Sequence, residues 1–599
     1  MLISRRPLVL AGLALLGCVT FSLAAFSEVQ ADELKEDRKT EAAPKATEDT
    51  ETKLSAAIDR EIAKLWERDG IKPGAQSSDE EFLRRVYIDT VGMPPSPDEV
   101  LAFLKDESPD KRSVLIDKLV DDRRFGEHIA DQWLDIMIGR GKGGKDDGMI
   151  LGIWLADEIN AGRGFDEVIY EIISASGTMA DNPPVAYYSS KKNLMTQDVA
   201  GEAAKHFTGV QIQCAQCHDH PYEENWHVAD FNGVAAFFWP LRVNRNGKAQ
   251  PRLGVVSDRK GKPVPFKDVE KKIKSSTPDQ LPTLLKSARF QAPKYLEGAE
   301  AGIKDARNWR SGWAKWVVSK DNTQTQRYLA NRFWSFLFGM GLQNPVDDFN
   351  SFNEPSHPEL LNLLAADLRD HDYDIKRLYR AVLKSSTWQL SSDEVKGAEL
   401  WHFANHPVRQ LSPEQFFAAL LNVQSAAQRG RAVKSGGGNP YTKMRRQAEG
   451  KDPRTKDKKI EYDLDSIKKL EAIYATGSEE WFVRRSASRN FASYTEDDEM
   501  IEADAFSLTI DQALLLMNGK ETNFLSDWSR GSVLDTVVSA HKDDTARIEQ
   551  LYLIVLSRRP TAIETKRMLD YAKEAKGSEG AWEDILFSLL VSSEFSTNH

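Results

Sequence analysis

EFLRRVYIDTVGMPPSPDEVLAFL, residues 81–104, decides the fold class. Phe82, Leu83, Val86 and Tyr87 recur at the spacing of one face of an α-helix. Gly92-Met93-Pro94-Pro95 stops that helix. Ser96-Pro97-Asp98-Glu99 then reads as a capping box with proline at the first helical position, and it launches Val100, Leu101, Phe103 and Leu104. The same alternation of helix, break and cap runs outward in both directions. Upstream, Leu54, Ile58, Ile62 and Leu65 share a face until Gly70 and Pro73. Downstream, helices are expected around 110–121 and 124–138, twice within 149–176, and from about 196 to 213. Further helices follow at Tyr328–Leu337, Leu360–Leu368 behind a capping box at Ser356-His357-Pro358-Glu359, Ile375–Leu383, and Phe416–Val423 behind Ser412-Pro413-Glu414-Gln415. The last are expected near 498–517, 543–556, 561–575 and 581–594. Alternating strands are scarce, with short β-like pieces near Leu253 to Val256. The fold class is mainly α: two helical domains joined by an irregular or small β connector.

The 599 residues suit two or more domains. The expected boundaries are an N-terminal helical domain at 53–240, a connector at 241–308 and a C-terminal helical domain at 309–599, with a basic, Gly-rich disordered loop at 428–460. A net charge of −11 argues against a general nucleic-acid binder. The chain opens with Arg5 and Arg6, an apolar run at 7–26 and Val29-Gln30-Ala31 before Asp32, so residues 1–31 read as an export signal. An uncleaved anchor and a lipid attached at Cys18, in Leu15-Leu16-Gly17-Cys18, are the other readings of this segment. Residues 32–52 read as a disordered polar spacer. The expected location is therefore the periplasm or cell envelope.

The chemistry converges on GVQIQCAQCHDHPYEENWH, residues 209–227. Two of three cysteines and three of eleven histidines lie here. Cys214-Ala215-Gln216-Cys217-His218 has the spacing of covalent c-type haem attachment. Both thiols become thioethers and the imidazole becomes an axial iron ligand. His220, two residues on, cannot reach the opposite face of the same haem. His206, His227, Met179 and Met195 are the candidates for that face. On a continuous helix, His206, Val210 and Cys214 would stack, with His206 about 12 Å from Cys214. A second reading is a tetrahedral zinc site of Cys214, Cys217, His220 and His227, with His218 able to replace either histidine. A third is a Cys214–Cys217 disulfide or dithiol with hydrogen-bonded histidines.

Other motifs carry less. Gly139 to Lys145 (GRGKGGK) falls short of a phosphate-binding loop, because Asp146 stands where Ser or Thr would hold Mg²⁺. His128, His357 and His406 read as structural. No nucleophile elbow, Ser-centred motif or zincin helix occurs.

The runs EFLRRVYIDTVGMPPSPDEVLAFL, QWLDI and GVQIQCAQCHDHPYEENW resemble the planctomycete-type cytochrome-like domain of unknown function. RYLANRFWSFLFGMGLQNPVDDFNSFNEPSHPELLNLLA, RAVLKSSTWQLSS, RQLSPEQFFAALL, LYLIVLSRRPTAIE and LLVSSEFSTNH resemble its usual C-terminal companion domain. The resemblance covers most of the chain from about residue 54. It implies an exported protein, labelled cytochrome-like for its CxxCH, whose relatives often sit beside c-type haem modules. By motif it points to Cys214, Cys217, His218, His220, Pro221 and Trp226. This chain departs after Trp133-Leu134-Asp135, where IMIGRGKGGKDD replaces the usual run.

Three function classes follow. The first is an envelope electron-transfer protein carrying haem c, with other envelope redox or c-type haem proteins as partners. The second is an envelope binding or scaffold protein whose Cys/His cluster is a structural zinc site or disulfide. The third, suggested by size and export alone, is a hydrolase or oxidoreductase acting on extracellular polymer.

Overall fold

Ser96 shows how local chemistry starts the helices. In a computed structural model its Oγ accepts from the Glu99 N–H, while the Glu99 carboxylate accepts from the Ser96 N–H at 2.8 Å. Residues 48–139, 145–191, 196–216, 218–219, 226–245, 249–260, 292–430, 439–451, 460–491, 519 and 525–599 are described. The export signal, Cys18, most of the 32–52 spacer, the interior of the GRGKGGK loop and the helix expected near 498–517 lie outside them.

The N-terminal segment is a run of helices: α1 (Glu48–Asp69), α2 (Asp79–Val91), α3 (Pro97–Lys105), α4 (Lys111–Val120), α5 (Arg123–Met137), α6 (Lys145–Asn160) and α7 (Phe165–Ser174). Gly92 ends α2 with φ 72°, and a Cβ there would stand 2.6 Å from His128 Nδ1. Glycine serves that turn because it tolerates the left-handed conformation and the close imidazole together. A two-residue strand β1 (Gly177–Thr178), a short helix α8 (Ala186–Ser189), α9 (Thr196–Thr208) and the apolar α10 (Val228–Phe238) complete the segment.

The connector carries two strands in its first described part and is irregular over 292–305. Strands β2 (Leu241–Arg245) and β3 (Gly254–Asp258) pair antiparallel with Val243 opposite Val256, and β1 adds to the far edge of β3. Arg310 locks this sheet to its neighbours: it pairs with Asp258 at 2.6 Å and donates to the carbonyls of Ile173 and Ala175.

The C-terminal segment continues with α11 (Trp309–Val317), α12 (Thr323–Phe338), α13 (Pro358–Asp370) and α14 (Ile375–Leu383). After strand β4 (Arg409–Gln410) come α15 (Pro413–Val423), α16 (Pro440–Ala448), α17 (Leu464–Tyr474) and α18 (Glu479–Phe491). Then follow α19 (Val533–Ala540), α20 (Asp544–Leu556), α21 (Ala562–Glu574), α22 (Glu579–Leu590), α23 (Ser593–Ser596) and strand β5 (Thr597–Asn598), which pairs with β4. The fold is mainly α.

Glu51 to His599 is one compact unit. Segments 53–240 and 309–599 share an apolar core. Trp133 of α5 packs on Phe165 at 4.9 Å and on Phe333 and Phe336 of α12 at 6.1 and 6.4 Å, and Phe125 meets Tyr379 edge-on at 5.1 Å. A second cluster gathers α15, α19, α20 and α22 around Phe416, Leu551, Trp582 and Phe595. Two buried carboxylates in this core are paired, which offsets the cost of their low-dielectric setting. Asp131 receives Trp481 Nε1, Arg484 and Arg485, and Asp89 receives Arg409 and Asn598.

Three local expectations are corrected. The helix through residue 213 stops at Thr208. The box at Ser356 does not form: α13 starts at Pro358 behind His357, and Ser356 Oγ turns instead to the Leu342 carbonyl and His357. Within 428–460, residues Pro440–Ala448 are helical, because Tyr441 is buried and Thr442 and Arg445 bind Glu471 of α17. Residues 431–438 and 452–459 lie outside the described ones. No helix among the described residues is long and apolar enough to cross a membrane.

Candidate functional site

The CxxCH stretch hangs from the end of α9. Val199, Ala200, Ala203 and Ala204 are buried and small, so α9 lies close to α10. Gly209 takes φ +69° and sends its N–H to the Lys205 carbonyl, while the Val210 N–H reaches Ala204. These are the crossed bonds of a helix-ending turn, and they need a residue that tolerates positive φ. A Cβ at Gly209 would also strike the Tyr328 ring at 2.3 Å. Past this turn the chain runs irregularly beside 347–349. The Phe349 N–H binds the Gly209 carbonyl at 2.7 Å, and Gln211 reaches Asp347 at 3.3 Å. Ile212 is buried, and a 3₁₀ turn over Gln213–Gln216 then packs against α10.

On that turn Ala215 is buried and Cys214 points outward as an exposed, free thiol. His218 is also exposed, and its Nδ1 lies 2.8 Å from the Asp219 carbonyl. A carbonyl only accepts, so Nδ1 carries the proton and the Nε2 lone pair is left free. The Asp219 carboxylate faces the other way. Oδ1 accepts the Val228 N–H at 3.0 Å at the start of α10, and Oδ2 is 3.5 Å from His227 Nδ1. The Val228 N–H, then the nearby His227, hold the Asp219 carboxyl below its usual range. Asp219 thus lies between both described histidines, its carbonyl bonding His218 and its carboxylate facing His227, a position that residue types alone did not reveal. The signal available was its position between His218 and the apolar run FNGVAAFFW.

Cys217, His220 and Pro221 lie outside the described residues, as does Met195. Among the described residues no group of three or more Cys, His, Asp or Glu could hold a metal ion. His206 and Cys214 do not share a helix face, because α9 has ended between them. His206 is buried against Tyr187 and Phe207, with Nδ1 in hydrogen-bond contact with the Tyr187 hydroxyl at 3.2 Å. Burial, reinforced by Lys191, Lys205 and Arg332, holds it well below its ordinary pKa. Met179 is buried, whereas His227 is exposed. Trp226, half-buried, packs against the main core.

The donor chemistry fits a c-type haem at the residues that are described. One thiol is free and reachable, and the adjoining imidazole is fixed in the tautomer that an axial ligand uses. His227, the one described histidine of the zinc reading, faces the Asp219 carboxylate at 3.5 Å. Of the other histidines, His128 and His406 are buried, and His357 sits in the core against Phe403.

Fold and site together define a mainly helical protein in which the turn Gln213–Gln216, carrying the exposed Cys214, packs against two helices. The chain belongs to a two-domain family: residues 57–242 match PSCyt2, a protein of unknown function (DUF1549), and residues 309–572 match PSD1, a protein of unknown function (DUF1553). No curated protein and no solved structure matches the chain.

Proposed function

We propose that the protein is an exported cell-envelope electron carrier with haem c attached at Cys214 and Cys217 and with His218 as axial ligand. The observation that carries this reading is the 2.8 Å contact between His218 Nδ1 and the Asp219 carbonyl, which leaves Nε2 free for iron. The free, outward Cys214 thiol suits covalent attachment. Haem would supply one-electron chemistry, with a potential set by its axial ligands and exposure. In this reading the protein's residues hold the group. Asp219 fixes the imidazole ring, Ala215 anchors the turn in the core, and α10 braces it from below. Other envelope redox or c-type haem proteins would be the partners. The test is an absorbance spectrum of protein from a host with c-type maturation, with and without dithionite. A reducible Soret band retained after denaturation supports the reading, and its absence from fully matured protein overturns it.

The second reading is a structural zinc site in an envelope binding or scaffold protein, with Cys214, Cys217, His220 and His227 as ligands. The 3.5 Å approach of Asp219 to His227 favours it. Stoichiometric zinc with two protected thiols supports this alternative; both thiols oxidised without metal contradicts it.

A further inference from the structure

The limb that carries Cys214 is held by residues far along the chain. Thr208 ends α9 and Gly209 turns the backbone. Before that turn, Lys205 pairs with the Asp347 carboxylate, its Nζ 3.0 Å from Oδ2. After the turn, the Gln211 amide donates to Oδ1 of the same carboxylate at 3.3 Å. One side chain thus spans the turn, with an oxygen for each arm. Two more groups of the second family segment hold the same place. Gln324 of α12 donates to the Thr208 carbonyl at 3.0 Å, and the Phe349 N–H donates to the Gly209 carbonyl at 2.7 Å.

The support behind Asp347 is pinned in turn. Asn331, buried in α12, donates to the Gln343 carbonyl at 2.7 Å and accepts from the Gln343 N–H at 3.0 Å. Asn353 donates to the Asp348 carbonyl at 2.9 Å and closes the loop on itself. Asp347 is only 6% exposed, and Arg332 of α12 stands 3.9 Å from its Oδ2. A buried carboxylate is costly unless cations and donors meet it, so these partners fix where its two oxygens sit. They thereby fix the angle at which residues 210–216 leave α9. The 3₁₀ turn beyond is closed by the Ala215 N–H on the Ile212 carbonyl at 3.0 Å, a bond whose opening reports on the limb.

The geometry points to Asp347 as a positioning residue of the CxxCH turn, so that the site is built by both family segments rather than by the first alone. This holds whichever group the turn carries. Hydrogen exchange of the full chain tests it, read at the Ala215 amide and referred to Ile129 in the middle of α5. The readout needs neither haem nor metal, so a chain found bare would end the haem reading and leave this test standing. Asp347→Ala and Gln211→Ala should each speed Ala215 exchange about fivefold, with Ile129 at its parent rate. The double variant should exchange no faster than Asp347→Ala, because both substitutions cut one bridge. Asp347→Asn should stay within about twofold of the parent, since its oxygen still accepts from Lys205 and the Gln211 amide can turn to accept from its N–H. Should Asp347→Ala fail to fold, Gln211→Ala and Asp347→Asn decide. An unchanged Ala215 rate, additive effects in the double variant, or Asp347→Asn no better than Asp347→Ala would overturn the inference. So would Ile129 rising in step with Ala215 in Gln211→Ala, which would make the bridge a contributor to overall stability alone.

Discussion

Asp219 spends its two groups on two histidines: its carbonyl on His218 and its carboxylate on His227 and the first N–H of α10. Replacing it with alanine keeps the carbonyl and removes the carboxylate. Asp219→Ala should therefore speed hydrogen exchange of the Val228 amide while the melting temperature stays essentially unchanged. An unchanged Val228 rate would show that the carboxylate does not hold that helix start. The buried histidines act on a different property. Burial pushes His128 down to about 3 and His357 down to about 4, and holds His206 and His406 well below the ordinary value. Each is neutral in the fold, yet takes up a proton in the unfolded chain below about pH 6.5. The unfolded state then binds more protons, so stability falls as pH drops from about 6.5 toward the folded values. At pH 5, His128 and His357 should each cost about 2 kcal/mol relative to pH 7. Denaturant titrations at the two pH values check this, and His357→Gln should reduce the difference. Equal stability at both would contradict the burial of these rings.

The elements divide by whether a local signal specifies them. The capping boxes at Ser96 and Ser412 form as their residues predict, because both partners of each bond lie within one turn. Ser356-His357-Pro358-Glu359 has the same letters but forms no box, since Ser356 finds the Leu342 carbonyl across a turn instead. The helix α16 inside the basic stretch was invisible for a similar reason: its anchor, Glu471, is 26 residues from Arg445. The end of α9 matters most for the site. Apolar periodicity carries on past Thr208, and by itself it predicts a helix to residue 213. What stops it is Gly209, whose hydrogen bond to Phe349 and contact with Tyr328 are tertiary. Gly209→Ala should destabilise the protein by about 2–4 kcal/mol, combining left-handed strain with a clash against a packed ring. Chemical denaturation measures it, and a loss under about 1 kcal/mol would contradict the close approach.

At the scale of the whole molecule, the two family segments depend on one another. Trp133 and Phe125 come from the first, and Phe333, Phe336 and Tyr379 from the second. The helical class was legible from periodicity, whereas this shared core was not, since periodicity names the apolar face of a helix but not its partner. Residues 53–260 expressed alone should therefore expose that face, bind a hydrophobic dye and lack a sharp thermal transition. A sharp transition with no dye binding would show an independent domain. The candidate site was half legible. Cys214, Cys217 and His218 stand out by spacing alone, but the turn that brings the Asp219 carbonyl onto the neighbouring His218 is a backbone geometry that residue types do not announce. The central claim, that this turn carries haem c, is tested most directly by the intact mass of the mature protein from a host with c-type maturation. The predicted result is one added haem that survives denaturation and disappears in Cys214→Ser/Cys217→Ser. A mass equal to the bare mature chain would contradict it.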